Sequence, residues 1–146
     1  MGTLVIGGDH HSPAFKSQII AYCQSLGWQC RDIGAHGSES CDYPLIAAEA
    51  GRLVARGEAD LGILLCGTGV GMSIAANKIG GVRCVCCSEP YSAAMSRLHN
   101  DANMLAIGTR VVGPELAKMI VKAWLDSEFE GGRHSRRLNQ IADLEA

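Results

Sequence analysis

Short apolar runs alternate along this chain with longer stretches in which apolar residues recur every three or four positions. The runs at 3–7, 29–33, 61–65, 82–86 and 104–107 have the length of buried strands. Between them, 14–26, 44–56, 72–78 and 91–98 carry helix formers at helical spacing, and a further helix is expected over Pro114–Leu125, with Pro114 at a favoured first-turn position. Gly131-Gly132 interrupts the pattern before a last helix, expected over 135–144. Strand–helix units without a hairpin signal predict a parallel sheet covered on both faces. The expectation is one α/β domain over residues 1–146, a five-stranded parallel sheet flanked by helices with an extra C-terminal helix.

In open parallel sheets the functional loops lie beyond the carboxyl ends of the strands. Polar residues gather there: Asp9-His10-His11 after the first run, Asp42-Tyr43-Pro44 after the second and Cys66-Gly67-Thr68 after the third. Ser88-Glu89-Pro90-Tyr91 follows the fourth and Thr109-Arg110 the fifth, while the helix before the fifth run ends in His99-Asn100-Asp101. A single rim bearing His, Cys, Asp and Arg is expected.

The segment Cys66-Gly67-Thr68-Gly69-Val70-Gly71-Met72-Ser73 carries the most chemistry. A strand, a glycine turn and a helix start aim several backbone N–H groups at one place, which makes an anion site. Met72 stands where the dinucleotide fingerprint needs its third glycine, and Met72-Ser73 replaces the Lys-Ser/Thr of a Walker loop. The ligand should therefore be smaller than a nucleotide: a developing oxyanion or a sugar phosphate. Cys66 at the head of this loop is either a buried structural thiol or a base or nucleophile favoured by the helix start behind it. Thr68 could donate to a substrate oxygen, or simply bond its own turn.

His99 reads equally as a helix C-terminal cap and as a general acid working near neutral pH. Asp9-His10 suits a helix N-cap or a ligand contact. Arg133 and Arg137 share a face if the last helix begins early, and would then clamp a dianion with forked donors; the alternative is a solvated basic face with His134 and Arg136.

Charge and composition narrow the classes. A net charge of −2 and the lack of a basic, aromatic-laced tract give no reason to expect nucleic acid. No apolar run approaches the roughly 20 residues of a membrane span, and 47% hydrophobic residues suit a globular domain. The first residues enter a strand directly, without a charged leader or a myristoylation pattern, so a cytoplasmic chain is expected. Seven cysteines without paired C-x-x-C units predict neither a metal site nor a disulfide framework. Cys23, Cys30, Cys41, Cys84, Cys86 and Cys87 are expected to fill the core or its margin.

Taken together, Gly7-x-Asp9-His10, Asp42-Tyr43-Pro44, the run from Cys66 to Lys78, Ser88-Glu89-Pro90-Tyr91, His99-Asn100-Asp101-x-Asn103, Arg110 and Gly131-Gly132-Arg133 with Arg137 resemble the ribose-5-phosphate isomerase B family over essentially the whole chain. The resemblance implies a Rossmann-like, doubly wound domain, assembled as a homodimer or a dimer of dimers with sites between subunits. It implies aldose–ketose isomerisation of a sugar phosphate through a cis-enediolate, with no metal or cofactor. On that pattern His99 opens the furanose ring and Cys66 moves the proton between C1 and C2. The loop Gly67, Gly69, Val70, Gly71 and Ser73 holds the enediolate oxygen, helped by Thr68. Asp9, His10, Tyr43 and Asn100 contact the sugar, and Arg110, Arg133 and Arg137 the phosphate.

One departure is His11-Ser12-Pro13-Ala14, where the family usually has a small residue and glycine, and it bears on sugar specificity. The rival readings are an isomerase of another aldose phosphate (allose, galactose or a tetrose), a non-catalytic sugar-phosphate sensor, and a redox protein using the many cysteines. Cys66 and Thr68 coexist here with His99, Arg133 and Arg137, which favours the pentose enzyme and argues against the sensor.

Overall fold

Leu4, Val5 and Ile6, like Ile63, Leu64 and Leu65, have no exposed surface on either side of their strands. Strands without a polar face must be covered twice, and this sheet is. The computed structural model describes residues 2–35 and 42–145. Its strands are β1 (Thr3–Gly8), β2 (Gln29–Asp32), β3 (Leu61–Cys66), β4 (Cys84–Cys86) and β5 (Met104–Gly108), all parallel in the order β2-β1-β3-β5-β4. The helices are α1 (Pro13–Ser25), α2 (Tyr43–Ala55), α3 (Val70–Ala76), α4 (Pro90–Asn100), α5 (Pro114–Leu125) and α6 (Arg133–Ala142). A proline opens the first turn of α1, α2, α4 and α5, where its missing N–H costs nothing.

One face packs Ile19 and Cys23 of α1, Ala93 of α4 and Ile120, Val121 and Trp124 of α5 against Leu4, Ile6, Ile63, Leu105 and Ile107. The other packs Ala47, Ala50 and Leu53 of α2 and Met72 and Ala76 of α3 against Val5, Leu64, Met104 and Ala106. Each fully buried Leu or Ile contributes about 1.5–3 kcal/mol, so the sheet is held from both sides. This is the expected doubly wound α/β architecture.

The differences from expectation are local. Helix α3 begins at Val70 rather than 72, because Gly69 adopts φ +81° and turns the chain into it. Helix α6 begins at Arg133 rather than 135, directly after Gly132 at φ +60°. Strand β4 is shorter than 82–86, since the Arg83 N–H is taken by the Asn103 side chain at 2.7 Å instead of by the sheet. Among the described residues no helix is long and apolar enough to cross a membrane.

Candidate functional site

Beyond the carboxyl edge of the sheet, three backbone hydrogen bonds fix the loops after β1 and β5 to the head of the glycine loop. Asp9 N–H donates to Leu65 O at 2.9 Å, Thr109 N–H to Cys66 O at 2.8 Å and Arg110 N–H to Gly67 O at 3.1 Å. Cys66, the last residue of β3, is 8% exposed, and the Gly69 N–H donates to its Sγ at 3.2 Å. The loop thus folds back on its own thiol, an arrangement that a negatively charged sulfur accepts well. Gly69 is required twice over: its φ is positive, and a Cβ there would lie 3.1 Å from both Cys86 Sγ and the Ile107 carbonyl carbon.

Thr68 is exposed and its Oγ1 accepts from Val70 N–H at 3.3 Å, so the local turn bond exists while the hydroxyl proton stays available. Ser73 is buried and its hydroxyl donates to Val70 O at 2.8 Å. Val70 and Gly71 open α3, whose first N–H groups have no acceptor within the helix. Tyr43, the first residue of α2, lays its ring on Gly71: a Cβ there would be 2.6 Å from Tyr43 Oη. The Arg110 side chain passes beside Gly67, its Cδ 3.7 Å from where a Cβ would stand.

Asp9 is buried, and its Oδ1 accepts from Ser12 Oγ at 2.6 Å and His11 N–H at 3.1 Å. The turn that departs from the family pattern therefore braces Asp9. His10 is half-buried, and its ring meets that of His11 at 3.8 Å between centroids. Asp9, His10, Tyr43, Cys66, the glycine loop and Arg110 all belong to this one edge.

His99 and Asn100 do not, and here the single-rim expectation is corrected. A crossover between parallel strands must return to the start of the next strand, so α4 ends at the amino edge. The anchors agree: Ala102 N–H bonds Ser96 O, Asn103 N–H bonds Arg83 O, and Gly62 N–H at the start of β3 bonds Asn103 O. Helix α6 packs on α4 at this edge, with Glu130 N–H donating to Leu98 O at 3.0 Å. Arg133 and Arg137, one turn apart on α6, are exposed there; among the described residues neither forms an ion pair with an acidic side chain. The His99 ring lies flat on that of His134, centroids 4.4 Å and planes 11° apart. A groove along the β4 edge, lined by Asn77, Val85, Asn100, Leu138 and Ile141, is apart from the thiol.

Two more readings change. Cys86 is exposed rather than a core filler, and its Sγ lies against the glycine loop, 3.7 Å from Thr68 O. Burial, then the neighbouring Cys66, raise its pKa. Cys23 is fully buried and Cys30 and Cys84 half-buried as expected, while Cys41 lies outside the described residues. His134, expected on a solvated basic face, is instead buried, and with Glu130 it lies beside His99, a neighbour far away in sequence.

A doubly wound parallel sheet with a thiol folded into a glycine loop, and paired arginines on a terminal helix, defines a class: α/β domains built for small anionic substrates. The family model described as Ribose/Galactose Isomerase matches residues 4–141, and the chain belongs to that family. It is 53% identical to ribose-5-phosphate isomerase B of Escherichia coli (strain K12) over 99% of this chain and 97% of that protein. Among solved structures, ribose-5-phosphate isomerase B of Clostridium thermocellum superposes with a TM-score of 0.96 at 48% identity, covering 98% of this chain and 97% of the other. The Mycoplasma genitalium enzyme of the same name, with bound ribulose 5-phosphate, gives a TM-score of 0.94 at 35% identity, with 98% and 95% covered.

Proposed function

We propose that this chain interconverts ribose 5-phosphate and ribulose 5-phosphate at sites shared between two copies. The observation that carries the chemistry is Cys66 Sγ, buried at the head of the glycine loop and approached by the Gly69 N–H. In the forward direction the Cys66 thiolate takes the proton from C2 of the open-chain aldose. Negative charge moves onto the C1 oxygen, where the loop amides and the Thr68 hydroxyl stabilise it. A proton then returns from sulfur, where it can exchange with solvent in the meantime, to C1, and the O2 proton moves to O1, leaving the ketose. Before this, the furanose must open: His99 donates a proton to the ring oxygen as its bond to C1 breaks, and the anomeric hydroxyl loses its own.

The need for two copies follows from the separation of the two edges. Cys66, Thr68, Asp9, His10, Tyr43 and Arg110 belong to the carboxyl edge, while His99, Asn100, Arg133 and Arg137 belong to the amino edge. Neither set alone has a base, a ring-opening acid and a phosphate clamp. Val70 and Ile74, 51% and 59% exposed on α3 beside the loop, offer an apolar surface for a homodimer or a dimer of dimers. A sugar phosphate would then lie with its carbonyl end at one copy's loop and its dianion at the other's arginines.

The test is isomerisation of a panel of five-, six- and four-carbon aldose phosphates, with oligomeric state measured by light scattering. The highest kcat/KM is expected for ribose 5-phosphate and an assembly of at least two chains. A better six- or four-carbon substrate, or an active monomer, would overturn the respective part of the reading.

A further inference from the structure

The amino edge contains one built feature that the reaction scheme leaves unused, the His134 ring beneath His99. His134 is the second residue of α6 and only 7% exposed, although its helix otherwise presents a basic, solvated face. Glu130 fixes the approach to α6 by its bond to Leu98 O, and His134 N–H bonds Gly131 O at 3.1 Å. Its Nε2 is buried without a hydrogen-bond partner, and the nearest acid, Glu130 Oε2, is 3.9 Å away, beyond hydrogen-bonding distance. What the side chain does have is a flat contact with His99.

Donor atoms of His99, Glu130 and His134 lie within 4.8 Å of one another. Nearly parallel imidazole planes, however, do not aim two in-plane lone pairs at a single point, as a shared ion requires. The stack suits one ring steadying the other.

We propose that His134 is a positioning residue for His99: its ring face sets the plane in which His99 presents its proton to the furanose oxygen held at a second copy's carboxyl edge. This rests on the ring-opening role assigned to His99 above. Burial lowers the His134 pKa first, His99, Arg133 and Arg137 add to that, and Glu130 opposes it. A neutral ring can lie against an imidazolium, whereas two imidazolium rings in contact repel. His134 thus supports His99 without taking its proton.

The experiment separates ring opening from enolisation. Ribulose 5-phosphate is open-chain, because its phosphate blocks the hydroxyl that would close a furanose. Deuterium uptake at its C1 in heavy water, followed by NMR, therefore reports Cys66 chemistry alone. His134→Ala should lower kcat on ribose 5-phosphate about 10- to 30-fold with KM changed less than about twofold, and leave deuterium uptake within about threefold. His134→Phe, which keeps a flat ring and no nitrogen, should stay within about threefold on both. If the alanine variant fails to fold, His134→Leu, bulky but not flat, should give its tenfold loss. Equal loss in the two assays, an unimpaired alanine or leucine variant, or a phenylalanine variant as poor as alanine would overturn the proposal. His99→Asn, run alongside, distinguishes the two levels. If it fails to separate the assays, the ring-opening role falls and this inference with it; if it separates them and His134→Ala does not, this inference alone falls.

Discussion

The two edges of the sheet are built by different means. At the carboxyl edge the backbone does the positioning: Asp9, Thr109 and Arg110 are tied by main-chain bonds to residues 65–67, and Gly69 folds back onto the sulfur. At the amino edge the side chains of two helices do it, through a stacked imidazole pair and exposed arginines one turn apart. Backbone bonds of this kind complete a loop within one chain, whereas a surface of like charges is useful only when something anionic bridges it. The carboxyl edge is therefore held together within one chain, and under the proposed function the amino edge contributes only when a substrate and a second copy meet it.

Removing the proposed base should have the largest effect. Cys66→Ala is expected to lower kcat by about 10²- to 10⁴-fold, since general-base catalysis contributes that much. Deuterium uptake into ribulose 5-phosphate should fall equally. Retention of more than about a tenth of wild-type kcat would move the base elsewhere. Arg137→Ala acts at the other edge, and should raise KM for the sugar phosphate by about 10- to 100-fold with a smaller change in kcat, the loss expected for one charged hydrogen bond. Inhibition by free phosphate should weaken in parallel; an unchanged phosphate inhibition constant would remove Arg137 from the clamp.

Mixing those two variants tests whether the edges really work across copies. A heterodimer of Cys66→Ala and Arg137→Ala would place both lesions in one site and none in the other. Random exchange should then restore about a quarter of wild-type activity at low substrate. No recovery, with exchange confirmed by mass spectrometry, would mean that both residues serve one site from one chain.

The sequence made the carboxyl edge readable because its signal is contiguous. Leu61–Cys66 is a strand with no polar face, the glycines follow at once, and the thiol lies between them. The amino edge was misplaced for a physical reason: periodicity identifies the helix ending at His99 but says nothing of which rim it reaches. Its direction follows only when the crossover between β4 and β5 is considered. The early start of α6 depends on the backbone angle of Gly132, and it decides that Arg133 and Arg137 share a face. The His99–His134 stack had no local trace, since two surface-patterned helices give no hint that a histidine of one is buried against a histidine of the other. Cys86 was misread because an apolar strand can still be an edge strand, with one end open to the neighbouring loop.

The smallest expected effect contrasts Cys66 with the thiols around β4. Burial, then the nearby Cys86 and Cys87, push the Cys84 pKa up to about 12, and burial followed by Glu89 pushes Cys87 up to about 11. Both stay protonated in the folded chain near neutral pH and should resist iodoacetamide at pH 7.5. Inactivation by that reagent should instead track modification of Cys66 by mass, and substrate should slow it. The sign of the stability effect follows from proton counting. In the unfolded chain these thiols ionise near pH 9, whereas the folded chain retains their protons until about pH 11–12. Above pH 9 the unfolded state binds fewer protons, so unfolding free energy falls with rising pH, after a plateau in their contribution below about pH 8. Urea midpoints measured from pH 7 to 11 should decline on the alkaline side, and Cys84→Ala should flatten part of that decline. An equally steep decline in the variant would mean that Cys84 is not held protonated by its surroundings.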